Sequence, residues 1–271
     1  MKYDNNTEEI NHLSLCSGYE GIGLGLRRVL PNLREIAYVE REGFAAANLV
    51  AKMEAGALDA APVFTDVKTF PYRKFRGLVD ILSGGFPCQP FSNAGKREGV
   101  DDPRHLFPYI RDGIRECRPR IVFLENVEGI ISAKTANGES VLQYVLRDLE
   151  GLGYQSTAGV FSASEIGAPH QRKRVFILAN CMYEGLQGFR TTSKLTLSKE
   201  WSGKAEPTES GGQFPARQRT QYDWEEPRTV KPRLVGTANG SSCQVDRLRL
   251  LGNGVVPATA AKAFVTLINR F

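Results

Sequence analysis

The sequence predicts an α/β protein built on an open, parallel-type sheet with helices on both faces, joined to a small loop-rich part. Three observations predict it. Over residues 1–180, short apolar runs alternate with longer amphipathic stretches, the pattern of βαβ units. Several of those runs end abruptly in glycine or an acid, as strands do when they deliver ligand-binding groups at their carboxyl ends. Near residue 183 the composition turns to Gly, Ser, Thr, Pro and charge, and it becomes globular again at about residue 246. The expected division is therefore 1–180 as the sheet-bearing unit, 181–245 as a small loop-rich or partly disordered unit, and 246–271 as a return to the first.

The elements follow in order. "HLSLCSG" (12–18) reads as a strand leaving into a Gly-rich turn, and "GIGLGLRRVL" (21–30) as the helix after it. "REIAYVE" (34–40) is a second strand ending in Glu40, and "GFAAANLVAKM" (43–53) has helical spacing. A third strand comes to "FTDV", offering Asp66. "LVDILSGG" (78–85) is a short buried strand ending at paired glycines. "RPRIVFLENV" (118–127) is apolar through "IVFL" and then turns acidic at Glu125. "VLQYVLRDLEGLGY" is a helix stopped by glycine, "RVFILAN" (174–180) a further strand, and the residues after 246 end in an amphipathic helix.

The strand ends carry the candidate chemistry. Glycines in "CSGYEGIGLG" let backbone approach a ligand closely, and an acid about 20 residues later is where such folds hold a ribose. Glu40 stands there, and with Asp66 it suggests a nucleoside-containing cofactor; either acid alone reads equally well as a solvated carboxylate. The G-x-G-x-x-G fingerprint of NAD sites is not matched. "GGFPCQPFSNAG" fixes Cys88 between two prolines, in a loop with little freedom to lose. Such a loop presents a thiol rather than burying it, whereas Cys117 and Cys181 read as inert core cysteines. Glu125 follows four apolar residues, an environment that raises a carboxyl pKa and suits a proton donor, though in isolation it reads also as an N-cap or surface acid. Arg172 and Arg174 lie two apart in an extended segment, able to hold phosphate or a polar base edge, or simply to be solvated. Asn253, flanked by glycines in "LLGNGVVPA", reads as a plain turn or as a loop closing on a ligand.

Composition narrows the class. With 41% hydrophobic and 24% charged residues the chain has a soluble globular profile, and no apolar run approaches the length of a membrane span. Five scattered cysteines suit a reducing, cytoplasmic setting and not a disulfide framework. With no C-x-x-C pair and three histidines, no zinc site is expected. Residues 1–180 balance Lys+Arg against Asp+Glu, so the net +5 falls after residue 180. That suits a polyanionic partner contacted there, or simply a basic soluble protein.

Taken together, "CSGYEGIGLG", "GGFPCQPFS", "LENV", "PHQRKRVF" and "LGNGVVP", in this order, resemble the cytosine-C5 DNA methyltransferases of bacterial or phage type, over roughly residues 12–180 and 246–266. The resemblance implies a Rossmann-like S-adenosylmethionine-dependent methyltransferase sheet and double-stranded DNA as substrate. It implies Cys88 as nucleophile at C6 of the target cytosine and Glu125 on its N3 and amine. Arg174 would contact the O2 region, with Arg172 supporting the loop. Ser17, Gly18 and Gly21 would line S-adenosylmethionine, with Glu40 at its ribose, Asp66 at its adenine amine and Leu106, in "RHLFP", on a further contacting segment. Asn253 and Val255 would close the pocket, and 181–245 would be the target recognition domain. The chain departs from the family's pattern in having Ser14 for an aspartate, Cys16 for an aromatic residue, Glu20 for a glycine and His170 for a glutamine. No metal, a monomer and a cognate restriction endonuclease as possible partner are further expectations. The alternatives are a transfer-RNA cytosine-C5 methyltransferase or a catalytically idle DNA-binding protein on the same scaffold.

Overall fold

The computed structural model describes residues 9–87, 106–135, 137–182 and 242–271. Seven strands form one sheet: β1 (Ile10–Leu15), β2 (Leu33–Val39), β3 (Val63–Phe64), β4 (Ile81–Gly85), β5 (Ile121–Val127), β6 (Tyr154–Ser162) and β7 (Lys173–Cys181). Their spatial order is β3-β2-β1-β4-β5-β7-β6. The strands β1 to β5 pair in parallel, as the alternating pattern predicts. The seventh strand runs antiparallel to both of its neighbours, so the sheet is mixed and not wholly parallel. Composition could not reveal this, because a buried strand has the same apolar run in either direction.

Helices α1 (Gly21–Arg27), α2 (Gly43–Glu54), α3 (Phe107–Cys117), α4 (Val141–Gly151), α5 (Ser242–Asn253) and α6 (Pro257–Ile268) surround the sheet. Side chains alternate across each strand and so build two cores. Val122 and Leu124 of β5 pack with Ile110 and Ile114 of α3 and Val145 and Leu149 of α4. Ile121 and Phe123 point the other way, toward Leu26 of α1 and Phe264 and Leu267 of α6. The helices α1 and α6 lie so close that a Cβ on Gly25 would meet the Pro257 carbonyl and the Ala260 methyl. Glycine at 25 is therefore a requirement of packing.

Two described elements have no counterpart in the sequence reading. Helix α3 follows Leu106 directly, and β6 forms one edge of the sheet. Helix α5 runs unbroken through Asn253, so the expected loop around that residue shrinks to Gly254–Val256. The helix also crosses the boundary drawn at 245 from composition. The window Val245–Ile268 is apolar enough, by length and composition alone, for a membrane span. It is two helices separated by a non-helical break, and half of it is buried inside the molecule. Residues 183–241, most of the expected target recognition domain, lie outside the described residues.

Candidate active site

The carboxyl ends of β1, β2, β4 and β5 and the start of β7 open on one cavity of about 410 Å³. Its wall carries Ser17, Gly18, Gly21, Glu40, Leu106, Glu125, Arg174, Asn253 and Val255, nine of the sequence-predicted residues. Because β7 is reversed, it begins where β5 ends. Val127 pairs with Arg174 in the ladder, and Glu125 with Phe176. An arginine from a strand start thereby reaches a glutamate from a strand end.

The β1–α1 turn is held from several sides. The Gly18 amide donates to Glu40 Oε2 at 2.7 Å, and the Glu42 amide donates to Oε1 at 2.7 Å. Ser17 Oγ donates to the Ser14 carbonyl at 3.0 Å. Three residues of the turn have left-handed backbone: Cys16 at φ 50°, Gly18 at 56° and Glu20 at 67°. Only Gly18 takes that conformation without steric cost. Burial, and then the charges of Glu40 and Asp66, push the Cys16 thiol up to about 12, so it stays protonated. Asp66 itself is not on the cavity wall; its carboxylate accepts from the Lys68 amide at 2.9 Å.

Glu125 is buried, and Arg174 Nε stands 2.9 Å from its Oε1. The contact is a close ion pair, and Arg174 is the partner that the buried Oε1 has among the described residues. Burial pushes the carboxyl up to about 7, against the opposing pull of Arg174 and Arg172. Room for it comes from Gly85 on the adjacent strand, where a Cβ would stand 3.0 Å from Glu125 Oε2.

Arg172 turns away from the cavity wall. It donates to the carbonyls of Gly252, at 2.8 Å, and Gly254, tying the start of β7 to the α5–α6 break. Burial, and next the Arg174 charge, lower its pKa. The two arginines of the extended segment thus divide, one facing the cavity and one bracing its far wall.

Cys88 lies outside the described residues, but both flanks of its segment are on the page. Pro87 and Leu106 are on the cavity wall, and the Phe86 and Phe107 rings beside them lie 5.5 Å apart. Sequence reasoning missed Asn126, whose buried side chain donates to the Phe86 carbonyl at 2.9 Å and accepts from the Val127 amide at 2.9 Å. A buried amide directly after a catalytic-type acid was the available signal. It also missed Tyr19, whose hydroxyl donates to the Val255 carbonyl and whose own carbonyl accepts from Lys52 Nζ at 2.6 Å.

The sheet order and this cavity are those of a Rossmann-like methyltransferase. Among solved structures, Dnmt2 methyltransferase of S. pombe superposes with TM-score 0.53 at 21% identity, over 73% of this chain and 59% of that one. A DNMT2 mutant from Spodoptera frugiperda gives 0.52 at 20%, over 64% and 50%. The chain belongs to the C-5 cytosine-specific DNA methylase family, whose pattern matches residues 10–226. Type II methyltransferase M.NgoMIV of Neisseria gonorrhoeae is 32% identical over 63% of this chain and 52% of its own length. Type II methyltransferase M.CviJI of Paramecium bursaria Chlorella virus IL3A is 31% identical over 94% and 58%. The chain thus spans about half the length of these two relatives.

Proposed function

We propose that this chain transfers a methyl group from S-adenosylmethionine to C5 of a cytosine flipped out of double-stranded DNA, through a covalent adduct at Cys88. The observation that carries the reading is the buried Glu125 carboxyl, raised toward neutral pH and held beside Arg174 in the same cavity as the Gly-rich turn and Glu40. A buried acid that keeps its proton near pH 7 is the group such chemistry needs.

The residues present fit the donor. Glycines at 18 and 21 keep side chains out of the turn, and Glu40 stands where a ribose hydroxyl would be bound. Bound there, the donor supplies an electrophilic sulfonium methyl. Cytosine C5 is too poor a nucleophile to accept it unaided. Addition of the Cys88 thiolate to C6, with the Glu125 proton passing to N3, makes C5 enamine-like and nucleophilic. After the methyl passes to C5, leaving S-adenosylhomocysteine, a base removes the C5 proton, the C6–S bond breaks to free the thiolate, and N3 returns its proton to Glu125. A carboxyl raised to about 7 carries a proton to give at neutral pH. Arg174 orients that carboxyl and offers donors to the base O2, and Arg172 holds the far wall in place.

C5 lies within the base stack of a duplex, so the target must be extruded before the thiol can reach it. Residues 181–245 would read the surrounding sequence, in keeping with the positive charge after residue 180. The same reading carries a monomer, a cognate restriction endonuclease as possible partner, and work in the cytoplasm of a bacterium or phage host. DNA incubated with the protein and labelled S-adenosylmethionine should gain 5-methylcytosine, and Cys88→Ser should abolish the gain. Labelling of transfer RNA but not of DNA would overturn the assignment.

A further inference from the structure

Beneath the β1–α1 turn lies a buried polar cluster, which meets the cavity wall at Ser14. Ser14 Oγ donates to Glu20 Oε2 at 2.7 Å, and the Gly23 amide donates to Oε1 at 3.1 Å. Glu20 is 1% exposed and caps α1. Beside it His12 meets Ser83 Oγ at 2.8 Å, and Arg27 pairs with both Glu35 and Asp59. The His12, Glu20 and Glu35 donor atoms lie within 4.8 Å of one another, and Arg27 already supplies a positive charge to this cluster. Gly23 is what lets the two carboxylates come in. A Cβ there would overlap Glu20 Oε1 and stand 2.9 Å from Glu35 Oε1.

Glu20 itself is absent from the cavity wall, while Ser17 and Gly18 before it and Gly21 and Ile22 after it are all on it. Its backbone is left-handed, a conformation that normally selects glycine. A glutamate kept there needs compensation, and the two hydrogen bonds to its carboxylate provide it.

We propose that Glu20 is the positioning residue of the donor-binding turn. Its carboxylate, clamped between Ser14 and the Gly23 amide, sets the path of residues 16–21 across the cavity. The family pattern noted above has an aspartate at position 14 and a glycine at position 20. Here a hydroxyl and a carboxylate stand in their places, in contact with each other. The carboxylate under the turn is thus delivered from the helix cap, and the two departures form one compensated exchange.

The inference rests on S-adenosylmethionine as the donor, and a four-protein comparison separates the two. The Kd for S-adenosylhomocysteine is measured by calorimetry on the parent, Glu20→Gly, Ser14→Asp and the double variant, with KM for the donor, kcat on DNA and Tm alongside. Glu20→Gly should weaken binding about tenfold or more and raise donor KM, with kcat at saturating donor changed much less. Ser14→Asp alone sets two carboxylates against each other and should also weaken binding. The double variant should return to within about threefold of the parent, a coupling that a generic packing defect would not produce. Unchanged binding in Glu20→Gly, or a double variant no better than the worse single, overturns the inference. A parent that does not bind overturns the donor assignment and this inference with it. Should Glu20→Gly fail to fold, the double variant decides: folded and binding supports the exchange, and unfolded refutes it.

Discussion

Arg174 Nε stands 2.9 Å from Glu125 Oε1, and the pair exists only because β7 runs against β5. In a wholly parallel sheet the start of that strand would lie at the opposite edge, a strand length from the cavity. The reversed strand brings a permanent cation to a buried carboxyl whose pKa burial raises to about 7.

This balance has a pH signature. Glu125 is raised from 4.5 to about 7, so the folded protein holds the proton more tightly than the unfolded chain does. Its burial costs nothing below about pH 4.5, where both states are protonated. The cost grows as pH rises toward about 7 and is constant above. Glu125→Gln removes that cost, so the variant should be more stable relative to the parent at pH 8 than at pH 4.5, by on the order of 2 kcal/mol. Urea unfolding at the two pH values measures it, and a difference that does not change with pH would refute the shift. Methyl transfer should be lost in the same variant.

Gly85→Ala tests the space kept for that carboxyl. The added methyl would stand 3.0 Å from Oε2, closer than it can comfortably rest. The acid must move by a few tenths of an ångström, and kcat should fall about tenfold, while donor affinity stays near that of the parent. Equal losses in kcat and in donor affinity would point to a wider disruption.

Asn126→Ala should act through the loop that leads to Cys88. Removing the buried amide leaves the Phe86 carbonyl and the Val127 amide without partners, at a cost of about 1–3 kcal/mol in stability. If the amide holds the start of that loop, the fall in kcat should exceed what loss of folded protein explains. Activity per folded molecule, read beside the unfolding curve, separates the two.

Gly254 and Tyr19 should be coupled. A Cβ on Gly254 would run into the Tyr19 ring, so Gly254→Ala should displace the tyrosine that grips the Val255 carbonyl. Truncating the ring in Tyr19→Ala relieves the overlap. The double variant should therefore be more stable than the sum of the singles implies, by about 1 kcal/mol, in thermal unfolding. Strict additivity would mean that the contact carries no energy.

Much of this was legible in the sequence, and the gaps have physical causes. Strands β1, β2, β4, β5 and β7 announced themselves as apolar runs, because a central strand is buried on both faces. Strand β6, "YQSTAGVFS", lies at the sheet edge with its middle residues only partly buried, so it carries no comparable run. Helix α3, "FPYIRDGIREC", interleaves its apolar positions with four charged residues, Arg111, Asp112, Arg115 and Glu116, and has a proline and a glycine within it, so its period is weak in the sequence. Glu125 could be read because four apolar residues precede it. The role of Glu20 could not, since its partners Ser14 and Gly23 become neighbours only when the turn closes. Spacing alone made Arg172 a twin of Arg174; the family resemblance set it apart as a support for the loop, and its partners, the Gly252 and Gly254 carbonyls, lie 80 or more residues away, where no local pattern could point to them.

Helix α6 covers α1, and this has a consequence for biosynthesis. The ribosome releases α1 first and must add every residue through 268 before its cover exists. At roughly 5–20 residues per second, that leaves Leu26 and its neighbours unprotected for about 12–50 seconds. Val255, whose carbonyl packs on the Gly-rich turn at Gly21 and Tyr19, emerges just before α6, so no shorter nascent chain can assemble the cavity.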